Sequence, residues 1–302
     1  MSRIVIGTRG SPLAAWQADF VRTALLAEHE GLEVDVQVIR TRGDQAVQAP
    51  LHAMEGKGLF TKEIENALLA GTIDLAVHSL KDLPTDLPDG LDLAAVAARE
   101  DPADVLVCGE GLTLATLPQG AEVLTGSLRR RAQLMHLRRD LKVSPVRGNV
   151  QTRLRKLDES DAEAMVLARA GLSRLGLLDR ATERLDPAEF LPACGQGALG
   201  IETRGDDASL RELLAPLDDA ASRSAVGAER AFLAALGGGC QVPMGAYARI
   251  AGDGAALTIT GMVADIDGSR LLRRTVEASF DGVAAAESLG RRLADRLRAD
   301  GG

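Results

Sequence analysis

The feature that most restricts the fold of this chain is a repeated order of short apolar strand, glycine-containing loop and helix. Residues 4–6 predict a buried strand, and after a loop from Gly7 the pair Ser11 and Pro12 predicts a helix start, since serine caps helices and proline favours the first helical position. The same order returns later, where a loop and a helix follow each of three predicted strands: "AEVLT", "LKVSPV" and "EAMVLA". Strands that alternate with helices predict an α/β fold with parallel or mixed sheets.

Periodicity predicts the first helix and the strand after it. Leu13, Trp16, Phe20 and Ala24 recur at helical spacing, which is typical of an amphipathic helix. In residues 32–38 apolar and polar side chains alternate, the pattern of a half-buried strand.

Two series of strands and helices predict a bilobal protein with a cleft and a smaller C-terminal α+β domain, three domains in all. We expect lobe 1 at residues 1–99 and 199–216, lobe 2 at residues 104–193, and the C-terminal domain at residues 217–302. The chain would cross between the lobes at "REDPAD" and "PACGQGALGIE". Only 2% of the 302 residues are aromatic, so the cores must be built from Ala, Val, Leu and Ile.

Composition excludes several classes of protein. No apolar run approaches the ~20 residues of a membrane span, and the first residues lack the features of a signal peptide. We therefore expect a cytoplasmic protein with no membrane partner. The net charge of −8 argues against nucleic-acid binding, and an acidic surface favours a monomer.

The cysteines and histidines indicate neither a disulfide framework nor a metal site. Three cysteines and four histidines are spread widely along the chain, without the spacing of metal ligands. Cys108 and Cys194 are predicted to pack in cores. Cys240 differs, because it lies in "GGGCQVP", a loop composition. Taken alone, this thiol could be inert, half of a disulfide, a metal ligand, a nucleophile or a point of covalent attachment.

One segment departs from the acidic average. Between residues 129 and 155 a single acid, Asp140, stands among eight arginines and one lysine. Several of these arginines fall where predicted strands pass into helices, where free backbone N–H groups and the helix dipole favour anions. An anion site is therefore favoured over a solvated basic face. Arg138 and Arg139 come late in their helix, and we expect them to face solvent or to interact with the helix C-terminus.

Asp82 follows the predicted strand "IDLAVHS" in the segment "SLKDLP". Ligands of α/β sheets bind outside the carboxyl ends of strands, so Asp82 has the position of a site residue. A carboxylate in an arginine-rich cleft would repel an anionic ligand. Its useful roles are to stabilise a developing cation or to transfer a proton, although an Asp before Leu-Pro can also simply form a turn.

These residues carry a resemblance to a known family. Eight motifs occur in the order and spacing of the porphobilinogen deaminase (hydroxymethylbilane synthase) family, from residue 3 to about residue 247: "TRGSPLAAWQA", "GKGLFTKEIE", "AVHSLKDLP", "TGSLRRRAQL", "VRGNVQTRL", "ARAGLSRLG", "PACGQGALGIE" and "GGGCQVP". The resemblance implies two periplasmic-binding-protein-like lobes and a third domain. It also implies condensation of four porphobilinogen molecules into a linear hydroxymethylbilane with release of ammonia, primed on a covalently bound dipyrromethane cofactor.

The resemblance further implies roles for individual residues. Asp82 would be the catalytic carboxylate, and Cys240 would hold the cofactor through a thioether. The residues that would bind cofactor or substrate carboxylates are Arg9, Ser11, Ser79, Lys81, Thr125, Ser127, Arg129, Arg130, Arg147 and Arg153. Further residues match family positions near the cleft: Gln17, Lys57, Phe60, Arg174 and Gln196.

Three residues depart from the family pattern, and two other functions stay open. Gly126 replaces a serine, Ala53 stands where several members have lysine, and Glu55 replaces a glycine, which concerns the charge and mobility of the cleft. The first alternative is a non-catalytic bilobal anion-binding protein. The second is a thiol enzyme with Cys240 as its nucleophile, which would need an activating base or positive field.

Overall fold

The computed structural model describes residues 3–41, 61–237 and 242–302. The chain forms two compact units with the following segments: Met1–Glu100 with Ala198–Arg223, and Asp101–Gly197 with Ser224–Gly302. It therefore passes between the units after residues 100, 197 and 223. In the described ranges no helix is long and apolar enough to cross a membrane.

Helices and strands alternate through most of the described chain. The strands are β1 (Arg3–Thr8), β2 (Glu33–Val38), β3 (Leu75–Ser79), β4 (Leu91–Val96), β5 (Asp104–Cys108), β6 (Glu122–Leu124), β7 (Lys142–Ser144), β8 (Ala164–Ala168), β9 (Glu183–Arg184), β10 (Leu199–Arg204), β11 (Met244–Ile250), β12 (Ala256–Ala264) and β13 (Leu271–Ser279). The helices are α1 (Pro12–Glu28), α2 (Lys62–Leu69), α3 (Leu128–Leu137), α4 (Val150–Asp158), α5 (Arg169–Arg174), α6 (Ala208–Leu214), α7 (Ala220–Ala235) and α8 (Gly282–Ala299).

The first unit contains a five-stranded sheet with the order β2-β1-β3-β10-β4. β1 is parallel to both β2 and β3, whereas β10 is antiparallel to β3 and β4. The predicted half-burial of the second strand is wrong for its second half. Val36 and Val38 are 41% and 58% exposed, because β2 lies at the edge of the sheet and only its first residues reach the core.

Helices cover both faces of this sheet. Leu25 of α1 packs with Ile6 and Leu75 on one face, and Leu68 of α2 packs with Ile73 on the other. The buried side of α1 is not the aromatic stripe that helical spacing suggested. Its buried residues are Ala14, Gln17, Ala18, Val21 and Leu25, whereas Trp16 and Phe20 are largely exposed and stack on each other with ring centroids 5.5 Å apart. The helix therefore packs on the sheet through its aliphatic face and not through its aromatic pair.

The second unit contains a sheet with the order β7-β6-β8-β5-β9. β6 is parallel to β7 and β8, and β5 is antiparallel to β8 and β9. Apolar residues alternate across it, so that Leu106 and Val123 join Leu134 of α3 on one face. On the other face Val107 packs with Leu154 of α4.

The C-terminal part of the second unit is a three-stranded antiparallel sheet, β11-β12-β13, with helices on one face. Phe232 of α7, Ile259 of β12 and Leu293 of α8 form its core. The two helices approach closely at Gly290, where a Cβ would collide with the Ala228 carbonyl. The α/β class with two sheet-rich lobes and a small C-terminal domain is thereby confirmed, while the predicted domain boundaries stay predictions.

Candidate active site

The first set of candidate residues lies at one edge of the first sheet. β1 and β3 are parallel neighbours, with Ile6 opposite Leu75, so the loops that follow them leave the sheet at the same edge. Arg9 comes directly after β1 and is half-buried. This is the edge at which α/β sheets bind ligands.

The start of α1 is tied to the end of β3. Ser11 is the N-cap of α1, and its Oγ accepts a hydrogen bond from the Ala14 N–H over 3.2 Å. Gln17 is only 2% exposed, and its Nε2 donates to Ser79 Oγ over 2.7 Å. The structure thus brings Gln17 and Ser79 together, with Ser11 at the start of the same helix.

Asp82 lies on a short 3₁₀ turn that is hydrogen-bonded to a neighbouring part of the chain. The 3₁₀ turn Leu80–Asp82 follows β3 directly. Leu80 is buried, and its N–H donates to the Ala198 carbonyl over 3.0 Å. Lys81 is half-buried and Asp82 is exposed, with no hydrogen bond or ion pair to the Asp82 carboxylate within the described ranges. Such a carboxylate can reach a bound molecule without first giving up a protein partner.

A buried acid–histidine pair joins the neighbouring strands β3 and β10 and was not found from the sequence. His78 Nε2 lies 2.8 Å from Glu202 Oε2, and Glu202 is completely buried. Glu65 of α2 is also buried, and burial together with the charge of Glu202 raises the pKa of the Glu65 carboxyl. His78 precedes Ser79 in β3, so the alternation of side chains along a strand places it on the opposite face.

Some predicted residues cannot be placed. Lys57, Phe60 and Cys240 lie outside the described residues, as do Ala53 and Glu55. Their assigned roles therefore stay predictions.

The second set of candidate residues lies where β6 and β7 end. These strands are parallel neighbours. Thr125 is buried, and its Oγ1 accepts a hydrogen bond from the Ser127 N–H over 3.2 Å. Ser127 is the N-cap of α3, with its Oγ accepting from the Arg130 N–H over 3.4 Å. Gly126 lies so close to the next loop that a Cβ would come within 2.7 Å of the Val146 carbonyl oxygen, and a side chain at this position would require the loops to separate.

Arg129 and Arg130 converge on one buried carboxylate. Arg129 Nη1 donates to Asp104 Oδ2 over 2.8 Å, and Arg130 Nη2 donates to Asp104 Oδ1 over 2.7 Å. Asp104 is fully buried and each arginine is 5% exposed. Burial alone would raise the pKa of Asp104, but the two guanidinium groups hold it well below its usual range. Neither arginine is the solvent-facing cation that a basic segment suggests.

Gln196 and Arg174 are likewise held by the protein. Gln196 is 1% exposed, and its Nε2 donates to Asp104 Oδ1 over 2.8 Å and to the Pro102 carbonyl over 2.7 Å. Arg174 Nη2 donates to the Gly197 carbonyl over 2.6 Å. The structure therefore groups Arg129, Arg130 and Gln196 around Asp104, a residue that the sequence interpretation had left within the hinge segment.

Arg147 and Arg153 lie at the loop between β7 and α4. Asn149 caps α4 through a bond from the Thr152 N–H of 2.8 Å. Arg153 Nε donates to the Gly148 carbonyl over 2.7 Å, and Arg147 is half-buried beside it in sequence. Arg153 thus lies in the first turn of α4 and Arg147 in the loop before its N-cap, and anions bind favourably at helix N-termini.

Arg138 is a correction to the sequence interpretation. We expected it to face solvent or the helix C-terminus. Instead it pairs with Asp140 through Nη2 over 2.7 Å, and Nη1 donates to the Leu114 carbonyl over 2.9 Å. It therefore ties the end of α3 to the loop after residue 113 and takes no part in the candidate site.

The two described cysteines differ in burial. Cys194 is buried in the C-terminal core, as predicted. Cys108 ends β5 as predicted but is only half-buried, with its sulfur 3.0 Å from Thr182 Oγ1. Burial raises the pKa of the Cys108 thiol, which keeps it protonated and poorly nucleophilic.

Comparison with known protein families identifies the family of the chain. The family model described as "Porphobilinogen deaminase, dipyromethane cofactor binding domain" matches residues 4–212, and the family model described as "Porphobilinogen deaminase, C-terminal domain" matches residues 224–299. The chain belongs to the porphobilinogen deaminase family. Membership makes it a transferase-type enzyme of tetrapyrrole biosynthesis with a dipyrromethane cofactor-binding domain.

Relatives within the porphobilinogen deaminase family match almost the whole chain. The porphobilinogen deaminase of Syntrophobacter fumaroxidans is 53% identical over 95% of this chain and 92% of its own length. Those of Nitratidesulfovibrio vulgaris and Geobacter sulfurreducens are 51% and 48% identical over 100% of this chain and 95% and 93% of their own lengths. A TRAP periplasmic solute binding protein from Desulfovibrio salexigens is similar over 72% of each chain, at 10% identity and a TM-score of 0.42.

Proposed function

We propose that this protein condenses four molecules of porphobilinogen head to tail into linear hydroxymethylbilane, primed on a dipyrromethane that is attached to Cys240 through a thioether. Each addition releases ammonia from the aminomethyl group of the incoming substrate and a proton from the pyrrole carbon that attacks it. One water molecule supplies the hydroxyl group when the bond between the finished tetrapyrrole and the primer is broken. The observation that carries this proposal is the match of both family models, over residues 4–212 and 224–299.

The described donors fit a ligand with several carboxylates. Within the described part of the chain, Arg129 and Arg130 each keep a buried Nε–H without an acceptor, and guanidinium groups bind carboxylates well. When bound, the dipyrromethane supplies the pyrrole carbon that attacks the first substrate molecule. The residues that would hold its acetate and propionate groups and those of the substrate are Arg9, Ser11, Ser79, Lys81, Thr125, Ser127, Arg129, Arg130, Arg147 and Arg153.

Asp82 would carry the chemical step. Loss of ammonia from porphobilinogen leaves a methylene-pyrrole cation whose charge is shared with the ring N–H. The exposed Asp82 carboxylate would accept a hydrogen bond from that N–H and shuttle the released protons. Electrostatic stabilisation of this kind commonly lowers a barrier by about 3–4 kcal/mol.

The attachment at Cys240 is tested by the intact mass of the protein as purified from cells. We expect a mass increase equal to one two-pyrrole group, together with release of ammonia on addition of porphobilinogen. Cys240→Ser should lose both, whereas Cys108→Ser, a matched change of a half-buried thiol, should keep both. An unmodified chain that still turns over porphobilinogen would contradict the proposal.

The same experiment separates the two alternative functions. A non-catalytic anion-binding protein would bind porphobilinogen and release no ammonia. A thiol enzyme with Cys240 as its turnover nucleophile would carry no adduct at rest. The family match favours neither, because both matched models describe porphobilinogen deaminase domains.

Cellular location and oligomeric state stay predictions from the sequence. We propose a cytoplasmic monomer that binds neither nucleic acid nor membranes. Sedimentation velocity at micromolar concentration should give a single species of 31.7 kDa plus the cofactor.

A further inference from the structure

The helix backbone alone does not direct the side chains of the first two arginines of α3 towards one point. Arg129 and Arg130 are consecutive residues of a helix that begins at Leu128, and consecutive helix residues do not face each other. Two cations in the first turn also oppose the positive end of the helix dipole. Yet both guanidinium groups reach a single point, the carboxylate of Asp104.

Asp104 has the rigidity that such a role requires. It is the first residue of β5, which is paired with β8 on one side and β9 on the other. Its carbonyl accepts a hydrogen bond from the Leu185 N–H over 3.0 Å. Gln196 Nε2 adds a third donor to the carboxylate, so the two oxygens are fixed by one strand, one helix and one loop.

The cluster of Asp104, Arg129 and Arg130 is left with capacity for one more anion. Two guanidinium charges face one carboxylate, so one positive charge is in excess. The Nε atoms of both arginines are buried and have no acceptor among the residues that the structure describes. A buried charge without a full complement of acceptors is costly, and a ligand carboxylate would relieve that cost.

We propose that Asp104 is a positioning residue: it holds Arg129 and Arg130 in the orientation in which they receive one carboxylate group of the dipyrromethane or the substrate. The identity of that ligand rests on the proposed function, whereas the orientation of the arginines does not. Asp104 itself acts only through the two arginines. Gln196 is then part of the support of Asp104 and need not contact the ligand.

The first test measures orientation without any ligand. In cofactor-free, isotope-labelled full-length protein, the Nε–H groups of Arg129 and Arg130 should give slowly exchanging NMR signals, assigned through Arg129→Lys and Arg130→Lys. Asp104→Asn keeps the shape of the side chain and removes its charge, and it should broaden or shift both signals. Asp140→Asn removes the counter-ion of Arg138 at the other end of α3 and should leave both unchanged.

The second test measures the consequence for assembly. Cofactor-free protein is incubated with increasing porphobilinogen, and the two-pyrrole adduct is followed by intact mass. Loss of a charge-assisted hydrogen bond is worth about a tenfold to hundredfold change in binding. Asp104→Asn should therefore raise the half-saturating concentration by at least about tenfold and change the maximal rate much less, and Asp140→Asn should change neither.

The outcomes separate positioning from a purely structural role. A folded Asp104→Asn protein with wild-type Nε–H signals and wild-type half-saturation overturns the proposal, even if it melts at a lower temperature. If Asp104→Asn does not fold, Asp104→Glu decides, because it keeps the charge and displaces the carboxylate; wild-type signals and half-saturation there also overturn it. If wild-type protein gains no adduct, the proposed function fails, and the NMR signals alone decide the role of Asp104.

Discussion

The two five-stranded sheets have the same strand arrangement, but the charged side chains at the ends of their strands differ. In each sheet the strand that begins just after the chain enters the unit, β10 or β5, runs antiparallel to both of its neighbours. In each, the loops that follow two parallel neighbours carry the candidate residues. Each sheet therefore presents candidate residues at the carboxyl ends of two parallel strands.

The side chains at the two edges differ in burial and in partners. At the first edge Asp82 is exposed and, within the described ranges, its carboxylate has no partner. At the second edge Arg129 and Arg130 are buried and compensated by Asp104. An exposed carboxylate such as Asp82 remains in water, where its interactions are weak. Buried groups such as Arg129 and Arg130 lie in a low-dielectric environment, where ion pairs are strong and hold the side chains in one orientation. Substitutions at the two edges should therefore have different signatures.

The largest effect is expected at the buried edge, from Asp104→Ala. Removing one partner of a buried ion pair leaves an uncompensated charge, which typically costs about 3–5 kcal/mol of the free energy of unfolding. Urea unfolding followed by circular dichroism would measure this loss. The control Asp140→Ala breaks the partly exposed pair with Arg138 and should cost much less; equal losses would mean that burial does not distinguish the two pairs.

The next largest effect is expected at the exposed edge, on rate and not on stability. Asp82→Asn should lower kcat by about 10²- to 10³-fold, as the loss of an electrostatic partner of a transition state commonly does. Because the Asp82 carboxylate has no partner in the described ranges, the free energy of unfolding should stay within about 0.5 kcal/mol of wild type. Asp89→Asn, at another exposed acid before β4, should change neither. A normal rate for Asp82→Asn would remove Asp82 from the chemistry.

Local signals in the sequence were sufficient for the framework of both edges. The cap at Ser11 followed by Pro12 marks the start of α1, as found. The strand "IDLAVHS" and the following turn placed Asp82 correctly at the end of β3. These features depend on neighbouring residues only, which is why composition and spacing can predict them.

The contacts that hold the charges could not be predicted in this way. Asp104 lies 25 residues before Arg129, in a segment that reads as a hinge, and only the pairing of β5 with β8 brings it beneath α3. The buried face of α1 was also missed, because its buried aliphatic residues recur at helical spacing just as the stripe with Trp16 and Phe20 does, and only the packing on the sheet distinguishes the two faces. These contacts depend on tertiary packing, which cannot be read from the periodicity of the sequence.

A smaller effect should come from the two serine caps, which compare the edges directly. Ser11 Oγ accepts from the Ala14 N–H over 3.2 Å, and Ser127 Oγ accepts from the Arg130 N–H over 3.4 Å. Replacing either serine by alanine should lower the free energy of unfolding by about 1 kcal/mol. Threonine in place of either serine keeps a hydroxyl and should restore most of the stability; failure to do so would mean that the loss is not one of capping.

The buried acids Asp104 and Glu65 should change the pH dependence of stability in opposite directions, and the contribution of Glu65 is the smallest effect that we expect to resolve. The lowered pKa of Asp104 adds stability above the pKa of the unfolded chain, and that stability is lost as pH falls. The raised pKa of Glu65 means that the folded protein binds its proton more tightly than the unfolded chain does, so stability falls as pH rises above about 4.3. Glu65→Gln should therefore unfold at a higher urea concentration than wild type at neutral pH, and the difference should vanish below the pKa of the unfolded chain. The control is Glu33→Gln, at an exposed acid of the same unit, which should not become more stable than wild type at neutral pH. If Glu65→Gln is no more stable than wild type at neutral pH, the ionised Glu65 carboxylate must be stabilised by a partner.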